Sequence, residues 1–321
     1  MKILVTGGLG LIGHHVVSKL ESLGHDVVIT DTRTTYGIIP QDEIDYLMNE
    51  RIKKIKTEQI YNIDISNADS IDWLIQKHRP TVIIHMASFP RQKVVNANPA
   101  MGARTMMEGL LNLCESAKTH KVSKFLYISS SMVYGDFTDD VIEDYNCKPQ
   151  GQYGIMKLSG EHIVKDYSRR NCFNHTIIRP SAVYGPLDVE DRVIAKFMLT
   201  AMRSGTLKVN GANETLDFTY VEDAADGIVA AALSENTNNK TYNITKSHSR
   251  SLLDAANLAV KIAGKGTIEV KDKDADFPSR GALNIDAARK DFGYDPKVDV
   301  EEGFQKYYDW LSKSEYWQRK L

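Results

Sequence analysis

Lys2-Ile3-Leu4-Val5-Thr6-Gly7-Gly8-Leu9-Gly10-Leu11-Ile12-Gly13 stands at the start of the chain, and its reading decides the fold. A short β-like run enters a turn with glycines at 7, 10 and 13, and the amphipathic segment His14–Leu23 follows at once. A strand that passes through G-x-x-G-x-x-G into a helix is a dinucleotide-binding arrangement. Gly7 permits the tight turn, Gly10 lets the backbone approach a pyrophosphate, and Gly13 allows close helix–strand packing. The helix N-terminus, at Leu11 and Ile12, offers free N–H groups and partial positive charge to the phosphates. No Gly-Lys-Ser/Thr follows, which excludes a Walker A loop.

Outward from this turn, apolar runs at Asp26–Thr30, Ile60–Ile63, Thr81–His85, Lys124–Ser129 and Thr176–Arg179 alternate with amphipathic stretches at Asp69–His78, Met101–Thr119 and Tyr153–Ser168. Short continuous Ile/Val/Leu runs suit strands buried on both faces. The alternation therefore predicts an α/β fold, a doubly wound parallel sheet of the Rossmann kind. An insertion from Thr32 to Gln59 carries an expected helix around Asp42–Ile55, placed on the outside. After Pro180 the rhythm changes, with helical Val221–Ala232 and strand-like Thr241–Ile244 among more charged segments. Residues 1–180, recovering about 217–246, are expected to form the dinucleotide-binding domain. Residues 181–216 and 247–321 form a smaller, mixed α/β C-terminal substrate domain.

Composition narrows the function. The 321 residues carry 40 Lys and Arg against 42 Asp and Glu, a formal charge of -2. No basic surplus exists to displace counterions from nucleic acid. Three cysteines without a C-x-x-C pair argue against a disulfide scaffold or zinc ribbon and for a reducing compartment. No apolar run reaches the ~18 residues of a membrane span. A cytoplasmic protein with no membrane or nucleic-acid partner is expected.

Asp31 ends the second strand, where a carboxylate hydrogen-bonds the adenosine ribose hydroxyls and repels a 2′-phosphate. NAD is favoured over NADP, although Arg33 could turn toward a 2′-phosphate. Asp64 and Ile65 are placed to flank the adenine. Tyr153 and Lys157 stand four residues apart on one helical face. A neighbouring ammonium and a positive nicotinamide ring stabilise phenolate, so Tyr153 can take a hydroxyl proton as hydride leaves the same carbon. Ser129-Ser130-Ser131 ends the fifth strand, where a hydroxyl can hold the reacting oxygen.

With these motifs, His85-Met86-Ala87-Ser88, Tyr134-Gly135, Arg179-Pro180, Val183-Tyr184-Gly185-Pro186 and Asp217–Asp223, the chain resembles the extended short-chain dehydrogenase/reductases, in their NAD-dependent nucleotide-sugar epimerase/dehydratase branch. The resemblance implies a catalytic Ser130, Tyr153 and Lys157, with Ser131 the rival donor. It places Met86, Ala87, Ser88, Ser129 and Pro180 with the glycine turn, Asp31, Asp64 and Ile65 around NAD. Ser88, Ser131, Arg192 and Arg280 fall to the nucleotide-sugar substrate, and Arg91 and Lys93 could meet an acidic sugar. His85 reads as a packed strand end, and no metal site is expected.

Departures from the family sharpen the reaction. Ser131 and Met132 occupy the positions of the dehydratases' acids, and neither is a general acid near neutral pH. Ala182, Leu216 and Met106 replace polar family residues, which leaves the base and sugar open. The expected reaction is epimerisation, at C4 of an NDP-hexose or NDP-uronate, through a transient 4-keto sugar. A nucleotide-sugar dehydrogenase or keto-reductase, or a non-catalytic NAD-binding regulator, is the alternative. A homodimer is expected through Met101–Thr119 and Tyr153–Ser168, whose apolar surface includes Met107, Leu110, Ile163 and Val164.

Overall fold

Successive side chains of a strand point to opposite faces, and β1 (Lys2–Thr6) uses both in a computed structural model that describes residues 1–34, 37, 39–275 and 277–321. Ile3 and Val5 pack with Val16, Val17 and Leu20 of helix α1 (Leu11–Ser22) and with Ile228 and Val229 of the Val221–Leu233 helix. Leu4 faces the other way, onto Ile71, Leu74, Leu110, Leu113 and Val164. Helices therefore cover both faces of the sheet, as the apolar runs predict.

The other strands are β2 (Asp26–Thr30), β3 (Ile60–Tyr61), β4 (Val82–His85), β5 (Lys124–Ile128) and β6 (Asn174–Pro180). A late strand, Lys240–Ile244, returns to pair in parallel with β6 and completes a seven-stranded sheet. From that edge the order runs β6, β5, β4, β1, β2, β3. Succession runs from β1 through β2 to β3 on one side and resumes with β4 on the other side of β1, and such a switch between β1 and β4 opens a crevice beyond the strand ends. Thr6 is level with Thr30 on one side and His85 on the other, which sets Gly7, Asp31 and Met86 around that crevice.

A second body builds on helices Val193–Met202, Leu252–Ala263 and Val300–Lys313, with Trp317 fully buried among them. Thr206–Asn210 and Thr267–Lys271 pair in parallel within it.

Three expectations change. Helix α2 (Gln41–Ile52) is not a free outer appendage: Ile44, Leu47 and Arg51 are buried, and Tyr46 stacks on Tyr316 with ring centroids 4.4 Å apart. The helix expected over Met101–Thr119 is interrupted by a π-helical turn at Arg104–Glu108. Gly109 follows, where a Cβ would come 2.6 Å from Ile65 Cγ1, so glycine lets this helix lie against the β3 connection. Leu110 and Val164, expected on a dimer face, are buried within the chain; Met101, Leu111 and Ile155 are exposed apolar residues of these stretches. Among the described residues no helix is long and apolar enough to cross a membrane.

Candidate active site

The glycine turn is closed by close backbone approach. Gly7 has φ +70°, and a Cβ there would stand 2.7 Å from Ala87 N. At Gly13 a Cβ would stand 2.3 Å from Gly7 O. Gly10 caps α1 without a side-chain hydrogen bond, leaving the first-turn N–H groups of Leu11 and Ile12 for an anion. Thr6 Oγ1 accepts from Ala87 N–H at 3.2 Å and holds the Met86-Ala87 segment beside the turn. Asp31 Oδ2 accepts from Leu9 N–H at 3.0 Å and Oδ1 from Arg33 N–H at 2.9 Å. Burial raises the Asp31 pKa against these bonds. An uncapped helix start beside a backbone cradle, with a carboxylate at the β2 end, fits a dinucleotide with a free ribose 2′-hydroxyl. Asp64 is exposed, and its Oδ1 accepts from Ser66 N–H. Ile65, expected against adenine, is buried and packs beneath Gly109.

The three consecutive serines, alike in sequence, diverge in space. Ser129 donates to Glu161 Oε1 at 2.6 Å, and Ser131 donates to Ser181 Oγ at 3.2 Å. Both hydroxyls therefore spend their protons inside the protein and keep only acceptor capacity for a ligand. Of the three, Ser130 is the one near enough to Tyr153 to pull its phenol pKa down. Its Oγ also accepts from Met132 N–H at 3.2 Å, which orients the hydroxyl. Alternation along an extended β5 end turns Ser130 away from its neighbours.

Tyr153 and Lys157 lie on the Gly151–Arg169 helix, with Lys157 Nζ 5.9 Å from the Tyr153 ring centroid. Burial raises the phenol pKa, while the Ser130 hydrogen bond and the Arg192 charge pull it down. Lys157 Nζ donates to Ile128 O at 2.7 Å, and burial lowers its pKa to about 7. Glu161, one turn on, opposes that drop. Glu161 itself is fully buried and accepts from Arg179 Nε at 2.9 Å and Nη2 at 2.7 Å. Arg179 also donates to Tyr134 Oη and Glu143 O. This network joins the ends of β5 and β6 to the Lys157 helix, and sequence reading passed over Glu161.

Arg192 stands within electrostatic reach of two other arginines. Arg192 acts electrostatically on Tyr153, Arg91 and Arg280. Arg280 is buried enough to lower its pKa to about 10, and its Nε has no hydrogen-bond partner. Arg192 makes only long contacts, 3.8 Å to Asp188 and 3.5 Å to Val183 O. Arg91 is tied to Asp191 at 2.8 Å, with Lys93 4.0 Å from the same carboxylate. Arg192 and Arg280 are thus the guanidinium groups with capacity to spare for an anion. Ser88 lies between Ala87 and this group, its Oγ donating to Phe89 O, and Pro180 ends β6 opposite Ile244. His85 is buried against Thr6 Oγ1 at 2.7 Å, and burial lowers its pKa to about 3. Among the described residues no group of His, Cys, Asp and Glu could hold a metal.

Relatives share this framework over nearly their whole length. The chain is 28% identical to an uncharacterized UDP-glucose epimerase of Bacillus subtilis, covering 97% of this chain and 98% of that one. It is 29% identical to a putative UDP-glucose 4-epimerase of Methanocaldococcus jannaschii, covering 97% and 99%. A solved UDP-glucuronic acid 4-epimerase of Bacillus cereus, in complex with UDP-glucuronic acid and NAD, superposes with a TM-score of 0.89 at 29% identity, over 98% of this chain and 99% of that one. The family model described as "NAD dependent epimerase/dehydratase family" matches residues 3–245, so the cofactor that the glycine turn and Asp31 fit is NAD. The chain belongs to the NAD dependent epimerase/dehydratase family.

Proposed function

We propose that the protein is a nucleotide-sugar epimerase that inverts C4 of an NDP-hexose or NDP-uronate. The observation that carries this reading is Ser130 brought onto Tyr153 beside Lys157, with Met132 where a dehydratase would need an acid. Bound NAD supplies the hydride acceptor and donor at the sugar carbon. Tyr153 takes the C4 hydroxyl proton and returns it, and Ser130 hydrogen-bonds the same oxygen in both directions. In the protein alone burial raises the Tyr153 pKa while the Arg192 charge already lowers it, so the further positive charge that favours the base form would come from the pyridinium ring of bound NAD. Arg192 and Arg280 hold the diphosphate, which a planar guanidinium fork suits. The sugar can then turn about its phosphate linkage and present its other face while the nucleotide stays fixed.

A uronate stays among the substrates to be tested, since Arg91 and Lys93 share one carboxylate, Asp191, between two cationic groups. We also infer a homodimer through the two helices that carry Leu111 and Ile155, to be tested by light scattering. The decisive assay is NMR of the anomeric region during incubation of the purified protein with NAD and a panel of neutral and acidic nucleotide sugars. Interconversion of a C4 epimer pair without net NADH is the expected result. Stoichiometric consumption of added NADH identifies a reductase instead, and no turnover on any sugar defeats the enzymatic reading.

A further inference from the structure

Arg51 has no part in the chemistry above, yet its surroundings are built with care. It is buried near the end of α2, donates from Nη1 to Leu9 O at 2.9 Å, and donates from Nη2 to Leu187 O at 2.6 Å. Leu9 belongs to the glycine turn, and its N–H is the group that Asp31 Oδ2 accepts. One residue of the turn is therefore gripped at both ends, by the ribose-facing carboxylate and by Arg51. Leu187 opens the arm that carries Asp188, Asp191 and Arg192, and it holds a left-handed φ of 70°, strained for a non-glycine residue. A second tie from α2 reaches the arm where Glu43 Oε1 accepts from Glu190 N–H at 2.7 Å. The far side of α2 is anchored on the C-terminal segment through Tyr46 Oη and Ser314 Oγ at 2.7 Å and through Lys320 and Asp42 at 2.8 Å.

We infer that Arg51 is a positioning residue that couples occupancy of the dinucleotide crevice to the placement of the Arg192 arm. Ribose hydroxyls arriving at Asp31 compete for the carboxylate oxygen that now holds Leu9 N–H. Any shift of the Leu9 peptide is passed through the Arg51 fork to Leu187. The fork also has somewhere to go. Arg51 Nε and Asp188 Oδ2 are both buried without a hydrogen-bond partner, and Asp188 is the carboxylate acting most strongly on Arg51. A donor and an acceptor in reserve, one on α2 and one on the arm, provide the second discrete arrangement that coupling requires. The substrate-binding arm would then be set only when NAD is in place.

Hydrogen exchange of the whole protein, with and without NAD, tests this independently of any sugar reaction. In the wild type NAD is expected to slow exchange in residues 7–14 and, by about tenfold, in residues 186–193, within the 5–150-fold span of coupled sites. In Arg51→Met the turn keeps its NAD protection while the arm responds less than about twofold. Arg51→Lys keeps the buried charge but lacks the fork, and is expected to behave like Arg51→Met; it serves if the methionine variant fails to fold. An arm that ignores NAD in the wild type overturns the proposal. So does an arm that responds equally in a folded Arg51 variant.

Discussion

Replacing Glu161 by leucine removes an acceptor of three hydrogen bonds: from Ser129 at 2.6 Å and from Arg179 at 2.9 and 2.7 Å. Arg179 is then left as a buried cation holding only Tyr134 Oη and Glu143 O, both neutral acceptors. Hydrogen bonds to charged groups contribute about 1.5–3 kcal/mol each. Breaking a buried ion pair from one side costs about 3–5 kcal/mol. The two figures agree for a pair of charge-assisted bonds, so about 4 kcal/mol is expected for Glu161→Leu. At about 2.1 cal/mol/K of unfolding entropy per residue, a chain of this length shifts by about 1.5 °C per kcal/mol, so the melting temperature should fall by about 6 °C. Urea unfolding of the wild type, Glu161→Leu, Arg179→Met and the double variant measures the cost directly. Because an apolar pair of similar volume often replaces a buried ion pair at little cost, the double variant should recover most of what either single variant loses. A single-variant loss below about 1 kcal/mol, or a double variant that simply adds the two losses, would refute the account of this network.

Tyr153→Phe and Ser130→Ala should each lower kcat by about 10²–10⁴ with NAD still bound, because a proton-transfer group is lost and the cofactor cradle is untouched; equal loss in Ser131→Ala would reassign the donor. Gly13→Ala should abolish NAD retention through purification, since its Cβ would fall 2.3 Å from Gly7 O, and a variant that keeps the cofactor contradicts the packing described. Lys157 has a folded pKa of about 7 against an ordinary 10.5. Between those values the unfolded chain holds more protons, so this group makes the apoprotein more stable as pH rises, with its full penalty present below 7. The stability gap between wild type and Lys157→Met, read by urea unfolding at pH 6 and 9, should therefore move in the wild type's favour at the higher pH; a constant gap would show that Lys157 does not titrate there.

Much of this was legible in residue order because the determining interactions are local. The run Lys2–Gly13 specifies a buried strand, a turn and a helix start within one short stretch, and Lys124–Ile128 is apolar enough to read as a central strand. The resemblance singles out Ser130 with Ser131 as rival, but the residues themselves do not separate the three serines, because their directions depend on where Glu161, Ser181 and Tyr153 arrive from distant positions. Nothing in residue order singles out Arg51, because its worth lies in carbonyls 42 and 136 residues away in sequence. Glu161 was hidden likewise, its arginine partner being supplied by β6. The π turn at Arg104–Glu108 leaves the apolar periodicity nearly intact, so a pattern reading sees one helix.

The late return of Lys240–Ile244 to the sheet has a consequence for synthesis. Until that strand arrives, β6 presents Thr176–Pro180 as an open parallel edge, with Ile177 and Ile178 flanking it. An unpaired apolar edge is a template for association with another chain. On the ribosome the N-terminal sheet therefore waits, one side unsealed, while more than sixty further residues emerge from the exit tunnel. A fragment ending near residue 180 should aggregate where one ending past 244 does not, and nascent chains in that interval are the ones that need a chaperone's cover.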